Sequence, residues 1–98
     1  MEIHPIPLPE TLATEAVPAR IEQTFTTLGL IIALRTTLKA HPGAIHWHIR
    51  RPRQSGTLEI TYDPNSHRAW YSTRAGRTKE WVVAMMEQVT TEITATGN

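Results

Sequence analysis

Ile45-His46-Trp47-His48-Ile49-Arg50 decides the fold of this chain. Apolar and polar residues alternate at every step, so successive side chains point to opposite faces of a sheet. Ile45, Trp47 and Ile49 make one face apolar, and His46, His48 and Arg50 make the other polar. Two further segments of the same kind follow, and three strands are expected: Ala44–Arg50, Thr57–Tyr62 and His67–Thr73. The separators Arg51-Pro52-Arg53-Gln54-Ser55-Gly56 and Asp63-Pro64-Asn65-Ser66 are rich in turn formers.

Register follows from keeping the apolar side chains on one side. Pairing Ile49 with Leu58 also pairs Trp47 with Ile60 and Ile45 with Tyr62, and it sets His48 opposite Glu59 and His46 opposite Thr61. The third strand has two solutions. If Tyr62 opposes His67, Ala69 and Tyr71 point to the core and Trp70 joins the polar face; a loop of about five residues shifts the strand by one and buries Trp70 instead.

Helices are expected on either side of this ribbon. Pro18 suits a first helical position, where its missing N–H would have had no partner. From there Ile21, Phe25, Leu28, Ile32 and Leu38 recur at three- and four-residue spacing up to His41-Pro42-Gly43, which predicts a helix of about six turns. Its middle, Leu28 to Leu34, is apolar nearly all round, more than one face of a small sheet requires. The second helix or another copy of the chain must cover the excess. A last helix is expected from Lys79 to Ala95, capped by Thr78, striped with Trp81, Val82, Met85, Met86, Val89 and Ile93, and ending near Gly97.

The order is helix, three strands, helix. The expected fold is therefore α+β: a three-stranded antiparallel meander with both helices on its apolar face, a two-layer sandwich in the single domain 18–97. Ahead of it, Pro5, Pro7 and Pro9 make residues 1–17 an extended Pro-rich arm, whose apolar residues lie against the domain or against a partner. The chain has 98 residues, room for one core and for no separate catalytic domain. The element order resembles that of double-stranded-RNA-binding domains. The loop and helix-start motifs by which that family contacts RNA are replaced here by Arg51–Gly56 and by Thr78-Lys79-Glu80-Trp81-Val82, so the resemblance assigns no residue.

Charge is segregated along the chain. Residues 45–80 hold seven of the ten Lys and Arg residues (Arg50, Arg51, Arg53, Arg68, Arg74, Arg77 and Lys79) against Glu59, Asp63 and Glu80, a local net of +4 in a chain of net +1. Such a field favours an anionic partner. With His46, His48 and Trp70 offered for stacking on bases, these seven cations form a candidate nucleic-acid surface. His46 and His48 also share a face as an HxH pair, and Glu59 on the neighbouring strand can add an oxygen, a weaker candidate metal set. The all-round apolar segment and the Met85-Met86 pair are surfaces that a homodimer would bury.

Other classes are disfavoured. The absence of cysteine excludes disulfides, thiolate zinc sites and a cysteine nucleophile. No nucleophile elbow, phosphate-binding loop or dinucleotide fingerprint is present, so a non-enzymatic binding role without a cofactor is expected. Met1-Glu2-Ile3-His4-Pro5 lacks the character of a secretory signal, and no apolar run approaches the roughly 20 residues that span a bilayer. A cytoplasmic protein with no membrane partner is the expectation.

Overall fold

The computed structural model describes residues 1–76 and 78–95, so Arg77, and Gly97 near which the last helix is expected to end, lie outside the described residues. The alternating stretch is a strand, β3 (His41–Arg50), flanked in sequence by β2 (Ile31–Leu38) and β4 (Leu58–Asp63). β3 and β4 pair in the register expected from the apolar alternation: Ile45 with Tyr62, His46 with Thr61, Trp47 with Ile60, His48 with Glu59 and Ile49 with Leu58. In β5 (Arg68–Thr73), Tyr62 opposes Ala69 rather than His67. That pairing has the same parity, so Ala69 and Tyr71 are buried while Trp70 lies on the polar face.

The long first helix is where structure and sequence reading part. Helix α1 covers only Val17–Thr27 and stops at Gly29, whose φ is +71°. The Gly29 amide donates to the Thr26 carbonyl and the Leu30 amide to the Phe25 carbonyl, at 3.1 and 2.8 Å. These two bonds, with Leu30 and Phe25 both in the core, define a Schellman ending, which hands the chain to an extended segment. Ile31, Ile32, Thr36 and Thr37 are β-branched and suit a pleated backbone better than a helix. The apolar run is therefore half of edge strand β2, paired antiparallel with β3.

Residues 1–17 are not one extended arm: their first part is a strand that joins the sheet, whereas Thr14–Ala16 form a 3₁₀ turn and Val17 already begins α1. Glu2–Ile6 form β1, an edge strand antiparallel to β5, in which Ile6 is buried against Ala69. Pro5 is tolerated because an edge strand has a side that needs no donor. The result is α+β with a five-stranded antiparallel sheet in the order β1-β5-β4-β3-β2, in place of the three-stranded meander. The element order is β-α-β-β-β-β-α, so the order shared with double-stranded-RNA-binding domains is lost.

The last helix, α2, spans Glu80–Thr94. Its N-cap is Lys79 without a side-chain cap bond; the Thr78 hydroxyl instead donates to the Arg74 carbonyl at 3.1 Å. Val17, Ile21 and Phe25 of α1 and Trp81, Val82, Met85, Val89 and Ile93 of α2 join Trp47, Ile49, Leu58, Ile60, Tyr62 and Tyr71 in one core, leaving the opposite sheet face without helices. One carboxylate clasps α1 to the sheet. Glu22 accepts the indole N–H of Trp47 at 2.9 Å and the Nε–H of Arg35 at 2.6 Å. Among the described residues no buried side-chain nitrogen or oxygen lacks a partner, as a settled core requires.

Candidate functional site

Antiparallel connectivity decides where the cations meet. β3 ends at Arg50, β4 starts at Leu58 and β5 ends at Thr73, so the β3–β4 loop and the segment entering α2 stand at the same end of the sheet. Arg50, Arg51, Arg53, Arg74 and Lys79 are all exposed there. Lys79 lies against the loop itself, its Cγ only 2.7 Å from where a Cβ on Gly56 would stand. The indole N–H of Trp81 donates to the Ser55 carbonyl at 2.7 Å and ties α2 to that loop. Among the described residues none of these five cations is ion-paired to a carboxylate. Glu2 and Glu80 stand at the same end and reduce the surplus without cancelling it.

The loop holds one side chain at a backbone cost. Gln54 N–H donates to the Arg51 carbonyl at 3.1 Å, closing a turn with Pro52 second and Arg53 third, and Arg53 has φ 65°. This is type II turn geometry, whose third position favours Gly or Asn because a Cβ crowds the left-handed region.

His46 and His48 project from the helix-free face, as the alternation requires, and Glu59 reaches them from β4. Nε2 of His46 lies 3.1 Å from Nε2 of His48 and 3.3 Å from Oε1 of Glu59, and the remaining side, His48 to Glu59, is 3.6 Å. On its far nitrogen, His46 meets the buried Thr61 hydroxyl at 2.7 Å. Only 12% of the His46 side chain is exposed, and burial, helped by the neighbouring His48, holds its pKa below the usual 6.5 despite the opposing pull of Glu59. A cleft of about 240 Å³ borders the group, lined by His48 and Glu59 together with Ser72, Arg74 and Thr78. It connects the histidine face to the basic end.

The remaining expected site residues fall elsewhere. Arg68 and Trp70 sit toward the opposite end of β5, lining a larger, apolar cleft of about 560 Å³ with Ile3, Pro5, Leu8 and His41. Trp70 packs edge-on against His41, with ring centroids 5.6 Å apart, and is half-buried rather than free to stack. The geometry thus brings together five cations, His46, His48 and Glu59, and leaves Arg68 and Trp70 out; Arg77 lies outside the described residues. Thr61 was missed as a functional neighbour, although its pairing opposite His46 was already fixed by the register.

No helix among the described residues is long and apolar enough to cross a membrane. No family model, curated protein or solved structure matches the chain.

Proposed function

We propose that this protein binds a polyanion, nucleic acid, through the basic end of its sheet. The observation that carries the reading is the convergence of Arg50, Arg51, Arg53, Arg74 and Lys79 from two separate segments on one end, exposed and, among the described residues, without carboxylate partners. Exposed arginines and lysines with no internal partner keep their charge available to phosphates, and each phosphate neutralised releases condensed counterions. The turn at Arg53 adds support, because a side chain held where glycine fits better is retained at a stability cost.

The measurement is a fluorescence-anisotropy titration of a labelled DNA duplex over a salt series. Five phosphate contacts give a log–log slope of about −4.5, a loss of roughly 500-fold between 50 and 200 mM salt. Arg51→Glu with Arg53→Glu should lower low-salt affinity by at least tenfold. Absence of binding at 50 mM salt, or affinity indifferent to salt, removes the reading.

A second reading, self-association, is favoured by β2. Every residue from Ile31 to Thr37 is exposed, with Ile31 at 52% and Leu34 at 46%. The edge at β1 is short and carries Pro5, two ordinary guards against pairing, whereas β2 has eight residues and no proline, its only irregularities being the register shifts at Ile32/Leu34 and Thr37/Leu38. Its Arg35 is neutralised within the chain by Glu22, so no like charges oppose a second copy meeting β2 antiparallel about Leu34. Sedimentation velocity should then show a dimer that Leu34→Lys dissociates and that Arg51→Glu with Arg53→Glu leaves intact. A monomer at high protein concentration refutes it.

A further inference from the structure

The His46, His48 and Glu59 group poses an electrostatic problem that a proton alone solves badly. Three atoms that can each offer a lone pair, two imidazole Nε2 and a carboxylate oxygen, crowd within 3.6 Å of one another. A shared proton satisfies one pair at a time. A cation at the centre satisfies all three at once.

The triangle has the dimensions of a coordination face. Sides of 3.1, 3.3 and 3.6 Å match the ligand–ligand separation of about 3.3 Å that tetrahedral geometry imposes when metal–ligand bonds are about 2.0–2.1 Å. The centre of the triangle is about 1.9 Å from each corner, and lifting the point about 0.7 Å out of the plane lengthens all three separations to about 2.05 Å, the zinc–imidazole distance. In a regular tetrahedral site the ion stands about that far above the plane of any three ligands.

The surroundings fit the same role. A metal-bound imidazole uses its second nitrogen to hold an oriented partner, and Nδ1 of His46 has the Thr61 hydroxyl at 2.7 Å, on a side chain 1% exposed. With Nδ1 donating to Thr61, Nε2 carries the free lone pair and is aimed at the other two ligands. The register fixes all the participants: His48 and Glu59 are cross-strand partners, as are His46 and Thr61, and the central strands β3 and β4 are paired on both sides. Two neutral nitrogens and one carboxylate suit borderline first-row divalent ions rather than calcium or magnesium, which call for more oxygen ligands. The bordering cleft of about 240 Å³ leaves a fourth position for water or for an oxygen of an anionic ligand, with Arg74 in its wall.

We infer that His46, His48 and Glu59 form a three-ligand site for one divalent transition-metal ion of the zinc type, with Thr61 positioning His46 and the fourth coordination place open to solvent. This site stands independently of the polyanion reading, since none of its three metal ligands is among the five basic side chains.

Zinc calorimetry on the whole protein, with circular dichroism of each variant as a folding control, tests the inference. One ion per chain should bind, and His48→Gln or Glu59→Gln should each weaken binding at least tenfold. Thr61→Val should weaken it by roughly 10–100-fold, as loss of an outer hydrogen bond does. His41→Ala and His67→Ala, the controls for adventitious imidazole binding, should leave it unchanged. Cobalt added to the unaltered protein gives a measurement that needs no variant: intense visible d–d absorption marks four-coordination by this set. No zinc binding by the unaltered protein, binding undiminished in His48→Gln and Glu59→Gln, or the pale spectrum of octahedral cobalt would each overturn the site.

Discussion

Replacing Arg53 by glycine should move stability and binding in opposite directions. Arg53 occupies the third position of the Arg51–Gln54 turn with φ 65°, inside the left-handed region. A residue with a Cβ costs about 1–2 kcal/mol there, whereas glycine adopts the conformation freely. Glycine also adds freedom to the unfolded chain, which takes back roughly 0.5–1 kcal/mol. The net expectation for Arg53→Gly is a gain of about 0.5–1 kcal/mol in urea unfolding, read as a higher midpoint at unchanged slope. The same change deletes one of five phosphate contacts, so the slope of log affinity against log salt should fall by about 0.9. Arg53→Ala separates the two effects: it removes the charge and keeps the Cβ, so it should weaken binding like glycine without the stability gain. If glycine destabilises the protein, the turn does not hold Arg53 under strain. If both substitutions leave the salt slope unchanged, Arg53 does not meet phosphate.

Three further outcomes follow from the core and its edges. Glu22→Ala strips the fully buried Trp47 indole N–H of its acceptor and should cost about 1–3 kcal/mol; Glu22→Gln keeps an acceptor and loses only the pair with half-exposed Arg35, costing under about 1 kcal/mol. Equal losses in urea melts would refute the clasp. Gly29→Ala meets nothing within 4 Å, so its cost is purely that of the backbone at φ +71°, about 1–2 kcal/mol; an unchanged melting curve would mean the helix does not end there. The chain has two tyrosines, and burial raises both phenols above the ordinary 10.0, Tyr71 to about 12. Absorbance at 295 nm should show no full phenolate step at pH 10 while the protein is folded, and both steps there in urea. Because the unfolded chain releases these protons first, stability held below pH 10 should be lost as pH rises toward 12. A normal tyrosine step in the folded protein contradicts this.

Periodicity read the centre of the sheet correctly and failed where two periods overlap. In β3 and β4 every alternate residue is apolar, and a slip of one position would bury His46 and His48, so only one register survives. From Leu30 to Leu34 the apolar residues are contiguous, and contiguous residues match helix and strand spacing equally. Two local signals could have separated them. Gly29 followed by Leu30 is the sequence form of a Schellman ending, and the β-branched Ile31, Ile32, Thr36 and Thr37 oppose helix continuation. β1 was hidden for another reason: its prolines argue for extension, but pairing with β5 is a long-range contact that no local pattern encodes. The cation cluster was half legible, since strand order brings loop 51–57 beside the entry to α2, while Arg68 is carried to the opposite end by the length of β5.

The two proposed sites share a strand, which makes their coupling measurable. His48 and Arg50 lie on the same face of β3, two residues or about 7 Å apart. A phosphate at Arg50 would therefore stand on the order of 10 Å from an ion held by His48. Two added positive charges at that distance attract one phosphate charge by about 0.8 kcal/mol in unscreened water, a factor of roughly four. Screening over a Debye length of about 10 Å removes most of this at 0.1 M salt. Zinc should therefore tighten DNA binding severalfold at 10 mM salt and barely at 150 mM, and by linkage DNA should tighten zinc binding by the same factor. His48→Gln should abolish the zinc effect while preserving metal-free DNA affinity. Zinc enhancement that persists in His48→Gln would place the ion elsewhere, and zinc without effect at low salt would show that the polyanion does not pass over Arg50.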